Sequence, residues 1–149
     1  MKKKKDFESV EHTADIKIRV YGTTLQELFT HALIGMFQSI GPHASNCTIE
    51  HERLVCKSLD RARSVVVDSP DREALLVDFL SEVLYLSDIY DEAYLDCTIH
   101  ELTDTHLKAT IRGVPVTGFD VVEIKAVTYH DLAIKEIDGV WQTDIVFDI

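Results

Sequence analysis

Two apolar stripes with helical spacing are the strongest constraint on how this chain can fold. One runs over residues 25–40 and the other over residues 75–86, and strand-like segments flank both. Apolar residues three and four positions apart are typical of a helix with one buried face. A chain of 149 residues has the length of one ordinary domain. We therefore predict a single compact α+β domain over residues 1–149, with two amphipathic helices packed on a mostly antiparallel or mixed β-sheet.

Capping residues predict where the helices begin and end. Thr24 precedes the first stripe, and Glu27 follows three residues later, which is the spacing of a capping box. The Gly-Pro pair at 41–42 is expected to end this helix. The Ser-Pro pair at 69–70 is expected to begin the second helix, with Pro70 in its first turn.

Alternating apolar and polar residues predict the strands. In the segment 14–21 the isoleucines and valine at even positions share the buried face, so Asp15 points toward solvent. The last strand, residues 140–148, follows Asp138-Gly139, which predicts a tight hairpin turn. Further strands are predicted at 48–50, 54–56, 64–67, 94–101, 106–112, 121–129 and 131–137.

The charge of the chain limits its partners. A formal net charge of −11 opposes extensive direct contact with nucleic acid, which requires a basic surface. The lysine run at 2–5 is expected to belong to a partly disordered tail, residues 1–5. No apolar run approaches the ~20 residues of a membrane span. We therefore expect a soluble, cytoplasmic protein with no membrane contact.

The cysteines suggest neither zinc binding nor redox chemistry. Cys47, Cys56 and Cys97 are odd in number and widely spaced, and they form no Cys-x-x-Cys pair. We expect three reduced thiols in or near strands, as is usual for an intracellular protein.

Acidic residues at opposite ends of the chain suggest a metal site. Asp15 opens the first strand, and Asp148 precedes Ile149 with its terminal carboxylate. If the two strands are neighbours, three carboxylates meet in an oxygen cluster suited to a hard divalent cation. Such charges are costly to hold together without one. Asp144 shares the face of Asp148 and is a secondary ligand candidate.

Four segments of the chain carry a resemblance to a known family. They are Glu-His-Thr-Ala-Asp-Ile at 11–16, Leu-Val-Asp-Phe-Leu-Ser-Glu at 76–82, Ile-Lys-Ala-Val-Thr-Tyr-His at 124–130 and Val-Phe-Asp-Ile at 146–149. Together they resemble the archease family, whose members are small protein cofactors of the tRNA-splicing RNA ligase RtcB. The resemblance covers nearly the whole chain and is weakest over residues 42–68.

The resemblance implies an accessory role rather than an independent enzyme. Archease promotes guanylylation of the ligase's active-site histidine, sustains its multiple turnover in tRNA splicing and RNA repair, and broadens the nucleotides that it accepts. The family also holds a divalent ion, typically calcium, at positions that correspond here to Asp15, Asp148 and Ile149. Because the ligands are oxygens, Mg²⁺ and Mn²⁺ are alternatives to Ca²⁺.

Three further residues near these motifs are candidates for supporting roles. His12 is a candidate for orienting a metal ligand, or for capping the start of a strand. Lys125 and His130 are candidates for contact with phosphate or the ligase, or for a snorkelling lysine and a surface histidine.

Two other functions remain open at this point. The acidic cluster would also suit a free-standing metal-dependent hydrolase, and a chaperone-like adaptor would need no metal. Asp78 and Glu82 lie four residues apart on the second helix, as a catalytic carboxylate pair or as a solvated face. No Walker loop, G-x-S-x-G or H-E-x-x-H motif favours an enzyme.

Overall fold

The computed structural model of the chain describes residues 5–10, 15–121, 123–129 and 131–149. Its helices are α1 (Leu25–Ser39) and α2 (Arg72–Tyr90). Its strands are β1 (Phe7–Val10), β2 (Ile16–Gly22), β3 (Pro42–His43), β4 (Cys47–Glu50), β5 (Arg53–Cys56), β6 (Arg61–Asp68), β7 (Glu92–Leu102), β8 (His106–Pro115), β9 (Gly118–Phe119), β10 (Ala126–Val127), β11 (Lys135–Ile137) and β12 (Val140–Asp148). Of the predicted lysine-rich tail, all but Lys5 falls outside the described residues. Neither helix is long and apolar enough to cross a membrane.

The strands form two main sheets, and the predicted α+β class is confirmed. The first sheet has the order β1-β2-β12-β10, with β11 also paired to β12; the second has the order β6-β8-β7. Two small ribbons, β3-β9 and β4-β5, complete the pairing, and every pair between described strands is antiparallel. Because α1 packs against both β2 and β7, it lies between the two main sheets.

The core is built from the apolar faces that the sequence patterns predict. The largest fully buried side chains come from both helices and from strands β2, β7 and β12, and they are Tyr94, Phe29, Phe37, Phe79, Phe147, Ile18, Leu28, Leu33, Met36, Leu75, Leu76 and Leu80. Burial of one such side chain contributes roughly 1.5–3 kcal/mol. This packing holds β2 and β12 side by side at the centre of the first sheet.

The start of α1 is as predicted, whereas the predicted start of α2 is wrong by two residues. The Thr24 side chain accepts a hydrogen bond from the Glu27 amide at 3.1 Å. At α2 the N-cap is Asp71, whose carboxylate accepts the Ala74 N–H at 2.8 Å. Pro70 therefore precedes the cap instead of occupying the first turn, because the Asp71 carboxylate satisfies an unpaired helix amide and so sets the start of the helix.

The two strands predicted at 121–129 and 131–137 are mostly wrong. Among the described residues of these two segments, only Ala126–Val127 and Lys135–Ile137 form strands that pair with β12, at opposite ends of that strand. Asp131 adopts a positive φ of 57° between them, so the chain turns away from the sheet. The amide of Ile134 then donates to the Glu73 carboxylate of α2 at 3.1 Å instead of to a strand.

The expectation of three reduced thiols is wrong for two of the cysteines. Cys47 and Cys56 lie directly opposite each other on β4 and β5 and form a disulfide. Cys97 is buried, with its sulfur 3.3 Å from the Thr30 hydroxyl, and burial raises the pKa of its thiol. The cysteine spacing concealed this pair because only the antiparallel ribbon brings the two side chains together.

Thiol titration under denaturing conditions tests the disulfide. We expect one reactive thiol per chain without a reductant and three after reduction, since two of the three cysteines are bonded. The unfolded Cys47→Ser/Cys56→Ser variant should give one thiol in both cases. Three thiols in the unreduced wild-type protein would contradict the disulfide.

Candidate metal centre

The C-terminal strand β12 lies between β2 and β10 at the candidate site. β12 pairs with β2 so that Phe147 faces Ile16, and it pairs with β10 so that Asp148 faces Ala126. Extending the first register by one residue brings Asp148 opposite Asp15. Side chains directly opposite each other on antiparallel strands project to the same face of the sheet. The two predicted acidic ligands therefore lie at the same end and on the same face.

Backbone hydrogen bonds and core packing hold the end of the chain in place. The Lys125 amide donates to the Asp148 carbonyl at 2.7 Å, and the Thr128 amide donates to the Val146 carbonyl at 3.0 Å. Phe147, between these two positions, is completely buried. Asp148 and Ile149 themselves are exposed, while Asp15 is half-buried. A rigid strand end thus presents polar groups to solvent.

Asp144 is engaged in a separate ion pair further along β12. Arg19 donates to both of its carboxylate oxygens, at 2.7 and 3.1 Å, and Lys17 lies 3.8 Å away. The hydrogen bond from Arg19 holds the pKa of Asp144 below its usual range. Four residues of strand separate Asp144 from Asp148 by about 13 Å. The structure therefore brings Asp15 to Asp148 and keeps Asp144 with Arg19.

The donor set at the strand end has the chemistry of a hard-cation site. Two side-chain carboxylates and a terminal carboxylate supply only oxygen, the ligand type of Ca²⁺, Mg²⁺ and Mn²⁺. Among the described residues, no three His, Cys, Asp or Glu side chains are grouped so that they could hold a metal. The predicted set includes just two such side chains, Asp15 and Asp148, and its third predicted ligand is a main-chain carboxylate at Ile149. These three residues fit the proposed ion in ligand type.

Three predicted residues remain, and they are His12, Lys125 and His130. His12 and His130 fall outside the described residues. Lys125 is exposed next to Asp148, to which its backbone is bonded.

One contact near the site was not predicted from the sequence. Tyr129 lies beside Asp78: partial burial of the phenol, together with the charges of Asp78 and Asp71, raises the pKa of Tyr129. Asp78 also accepts a hydrogen bond from the Ser69 hydroxyl at 2.6 Å. Asp78 is thus half-buried and hydrogen-bonded rather than simply solvated. The signal was present, because Asp78 and Tyr129 belong to two of the four family-like segments.

Fold and site together define a class of protein: an α+β domain in which the start of β2 lies beside the end of β12, with an acidic residue at each of these two strand ends. The model of the Archease protein family (MTH1598/TM1083) matches residues 7–149. The chain belongs to the archease family.

Individual relatives agree with this assignment over their full length. The protein archease of Methanosarcina mazei is 35% identical over 152 residues, covering 97% of this chain and 97% of the relative. The protein archease of Thermococcus kodakarensis is 35% identical, covering 96% and 98%.

Solved structures have the same fold. The solution structure of protein 1598 of Methanobacterium thermoautotrophicum is 30% identical, with a TM-score of 0.70, and the match covers 97% of this chain and 99% of that one. The crystal structure of an archease from Thermotoga maritima, described as a possible chaperone, gives a TM-score of 0.60 at 22% identity, covering 100% and 98%. At that identity the second structure supports the fold alone.

Proposed function

We propose that this protein is a metal-binding accessory protein that activates an RNA ligase of the RtcB type in the cytoplasm. It promotes guanylylation of the ligase, sustains multiple turnover in tRNA splicing and RNA repair, and broadens nucleotide use, without catalysing a reaction itself. The observation that carries the proposal is the register of β12, in which Asp148 follows the Phe147–Ile16 pair and so lies beside Asp15. Membership of the archease family supports the choice of partner.

The chemistry of guanylyl transfer explains why such a site would be useful. Negative charge develops on phosphate and pyrophosphate oxygens during the transfer, and a bound divalent ion offsets charge of this kind. Asp15, Asp148 and the Ile149 carboxylate would hold the ion at an exposed tip, because the strand end that carries the latter two is both anchored and solvent-facing. Lys125, beside this tip, is available to contact a phosphate oxygen or the ligase.

Charge favours the encounter with such a partner. The net charge of −11 would steer the protein toward the basic cleft with which a ligase binds RNA. We expect the association rate to fall as ionic strength rises, because salt screens exposed charges. An association rate that does not depend on salt would exclude steering.

The proposal is tested with the cognate ligase in a guanylylation and multiple-turnover ligation assay. The wild-type protein at substoichiometric concentration should stimulate both steps, and folded Asp15→Ala and Asp148→Ala variants should not. Equal stimulation by the variants would favour a metal-independent adaptor. Turnover of a substrate without any ligase would instead favour the hydrolase.

A terminal-carboxylate ligand leads to a separate prediction. Adding Gly-Ser after Ile149 turns its carboxylate into an amide and moves the new terminus away, so metal affinity should fall at least about tenfold. The fold should be unaffected, because Ile149 is exposed. Isothermal titration with Ca²⁺ and Mn²⁺ measures the affinity, and the same dipeptide at the N-terminus is the control. Unchanged affinity would remove Ile149 from the ligand set.

A further inference from the structure

The outer face of α2 exposes two large apolar side chains on adjacent turns. Tyr85 is 59% exposed and Ile89 is 49% exposed, and a separation of four residues puts them on the same face of the helix. Asp88 lies beside them and is also exposed. Neighbouring apolar side chains left in solvent are typical of a surface that binds another macromolecule.

A groove runs along this face, and Lys125 and Ala126 are among the residues that line it. It has a volume of about 310 Å³ and lies between α2 and described residues from Phe119 to Val121 and from Glu123 to Val127. Tyr85 and Asp88 line one wall, and Glu123 and Lys125 line the other. The Lys125 amide donates to the Asp148 carbonyl, so one residue of the groove is bonded directly to the strand that carries two of the predicted ligands. The groove and the candidate metal centre thus share the β10 segment.

The charges around the groove favour a basic partner. Asp88 lies in the last turn of α2 and Asp91 is its C-cap, while that turn contains no basic residue. A helix C-terminus already carries partial negative charge, so carboxylates there are unfavourable in the free protein. Glu123, exposed on the opposite wall, adds another negative charge, and Lys125 on that wall offsets only one of the three carboxylates. A lysine or arginine from a partner would relieve this concentration of charge.

We propose that Tyr85, Asp88 and Ile89 of α2, with Glu123, form a docking surface for a segment of the RNA ligase in which an apolar side chain is flanked by lysine or arginine. This inference rests on the proposed function for the identity of the partner. The exposed tyrosine and isoleucine bind the apolar side chain, and the carboxylates bind its basic neighbours. An enzyme that binds RNA carries such basic residues around its cleft. The docking surface supplies affinity, whereas the metal centre supplies activation.

The chain offers a matched control for this surface. Asp88-Ile89 and Glu136-Ile137 are both exposed acidic-isoleucine pairs, and the two isoleucines are 49% and 50% exposed. Glu136 faces Trp141 on β12, seven residues or roughly 23 Å of strand from Asp148. The variants Asp88→Asn/Ile89→Ser and Glu136→Gln/Ile137→Ser thus remove the same charge and nearly the same apolar surface, the first on α2 beside the groove and the second on β11.

The first measurement is ligase stimulation as a function of the concentration of each variant. For Asp88→Asn/Ile89→Ser, the concentration that gives half-maximal stimulation should rise by about tenfold or more, the effect of losing a binding hot spot. The maximal stimulation by this variant should equal that of the wild type. The control variant should equal the wild type at every concentration. Equal shifts for the two variants, or a loss of maximal stimulation that high concentration does not restore, would overturn the docking surface.

A second measurement separates docking from misfolding. Asp88→Asn alone should raise the melting temperature of the free protein, because it removes a carboxylate from the negative end of α2, while weakening binding to immobilised ligase. The docking surface would be supported if the wild-type protein and the Glu136→Gln/Ile137→Ser control bound the ligase equally well and the α2 variants bound it more weakly. This result would hold even if no variant stimulated the ligase and the proposed function failed. No difference in binding between the variants would overturn the docking surface.

Discussion

Replacing Asp148 by asparagine is expected to lower the affinity for a divalent cation by about 100-fold. The amide keeps an oxygen but loses the negative charge. At a typical ligand distance of about 2.4 Å, the attraction between a 2+ ion and one carboxylate is worth roughly 3.5 kcal/mol even at the dielectric constant of water. Isothermal titration with Ca²⁺ and Mn²⁺ measures the affinity. Asp15→Asn should lower it by a similar factor, because Asp15 lies across from Asp148 on the neighbouring strand when the β2–β12 register is extended by one residue.

Asp144→Asn is the matched control for that experiment. Asp144 lies on the same strand and face as Asp148, but its carboxylate is paired with Arg19. We expect little change in metal affinity and a loss of no more than about 1 kcal/mol in unfolding free energy, as is usual for a partly exposed ion pair. An equal loss of affinity in Asp144→Asn would show that the cation is bound further along β12 than we propose.

Glu92→Gln should have the largest effect on stability. The Glu92 side chain is 2% exposed and accepts two hydrogen bonds from Arg63 at 3.0 Å and one from Tyr94 at 2.7 Å, with Arg61 at 3.3 Å. Removing one partner of a buried ion pair typically costs 3–5 kcal/mol. Because both arginines keep some contact with water, we expect about 3 kcal/mol. Urea unfolding at pH 7 measures it.

An exposed ion pair provides the comparison for Glu92. Asp104 pairs with Arg72 at 2.8 Å, and the Asp104 side chain is 66% exposed. Asp104→Asn should cost less than about 1 kcal/mol, since water screens the pair. Similar losses of unfolding free energy in Glu92→Gln and Asp104→Asn would contradict a special role for Glu92 and its buried hydrogen bonds.

The Glu92 cluster also gives stability a definite pH dependence. Burial opposes the charged form of Glu92, but the hydrogen bonds and charges of its partners outweigh it and hold the pKa below 4.5. A lowered folded-state pKa stabilises the fold above the unfolded pKa, and this contribution is lost as the pH falls through the folded value. The stability difference between wild type and Glu92→Gln should therefore shrink below about pH 4.5.

Local sequence patterns predicted the parts of the fold that local forces control. The helical stripes gave both helices, and alternation gave β2, β12 and the strands between residues 47 and 68. The hairpin at Asp138-Gly139 is also as predicted, since both residues adopt positive φ. Apart from the two-residue error at the start of α2, the errors fall at 121–137 and at the cysteines, where pairing depends on residues that are distant along the chain or opposite on a neighbouring strand.

Residue types and their spacing were enough to predict the chemistry of the candidate site: which residues carry carboxylates, that they lie at strand ends, and that their oxygens suit a hard cation. The folded chain was needed to show that β2 and β12 are neighbours, with the register that puts Asp148 next to the Phe147–Ile16 pair and leaves Asp144 with Arg19. The fold also shows that Cys47 and Cys56 are bonded, and that Tyr85 and Ile89 remain exposed on α2. Residue type and periodicity are local properties, whereas strand register is set by the packing of side chains from the whole chain.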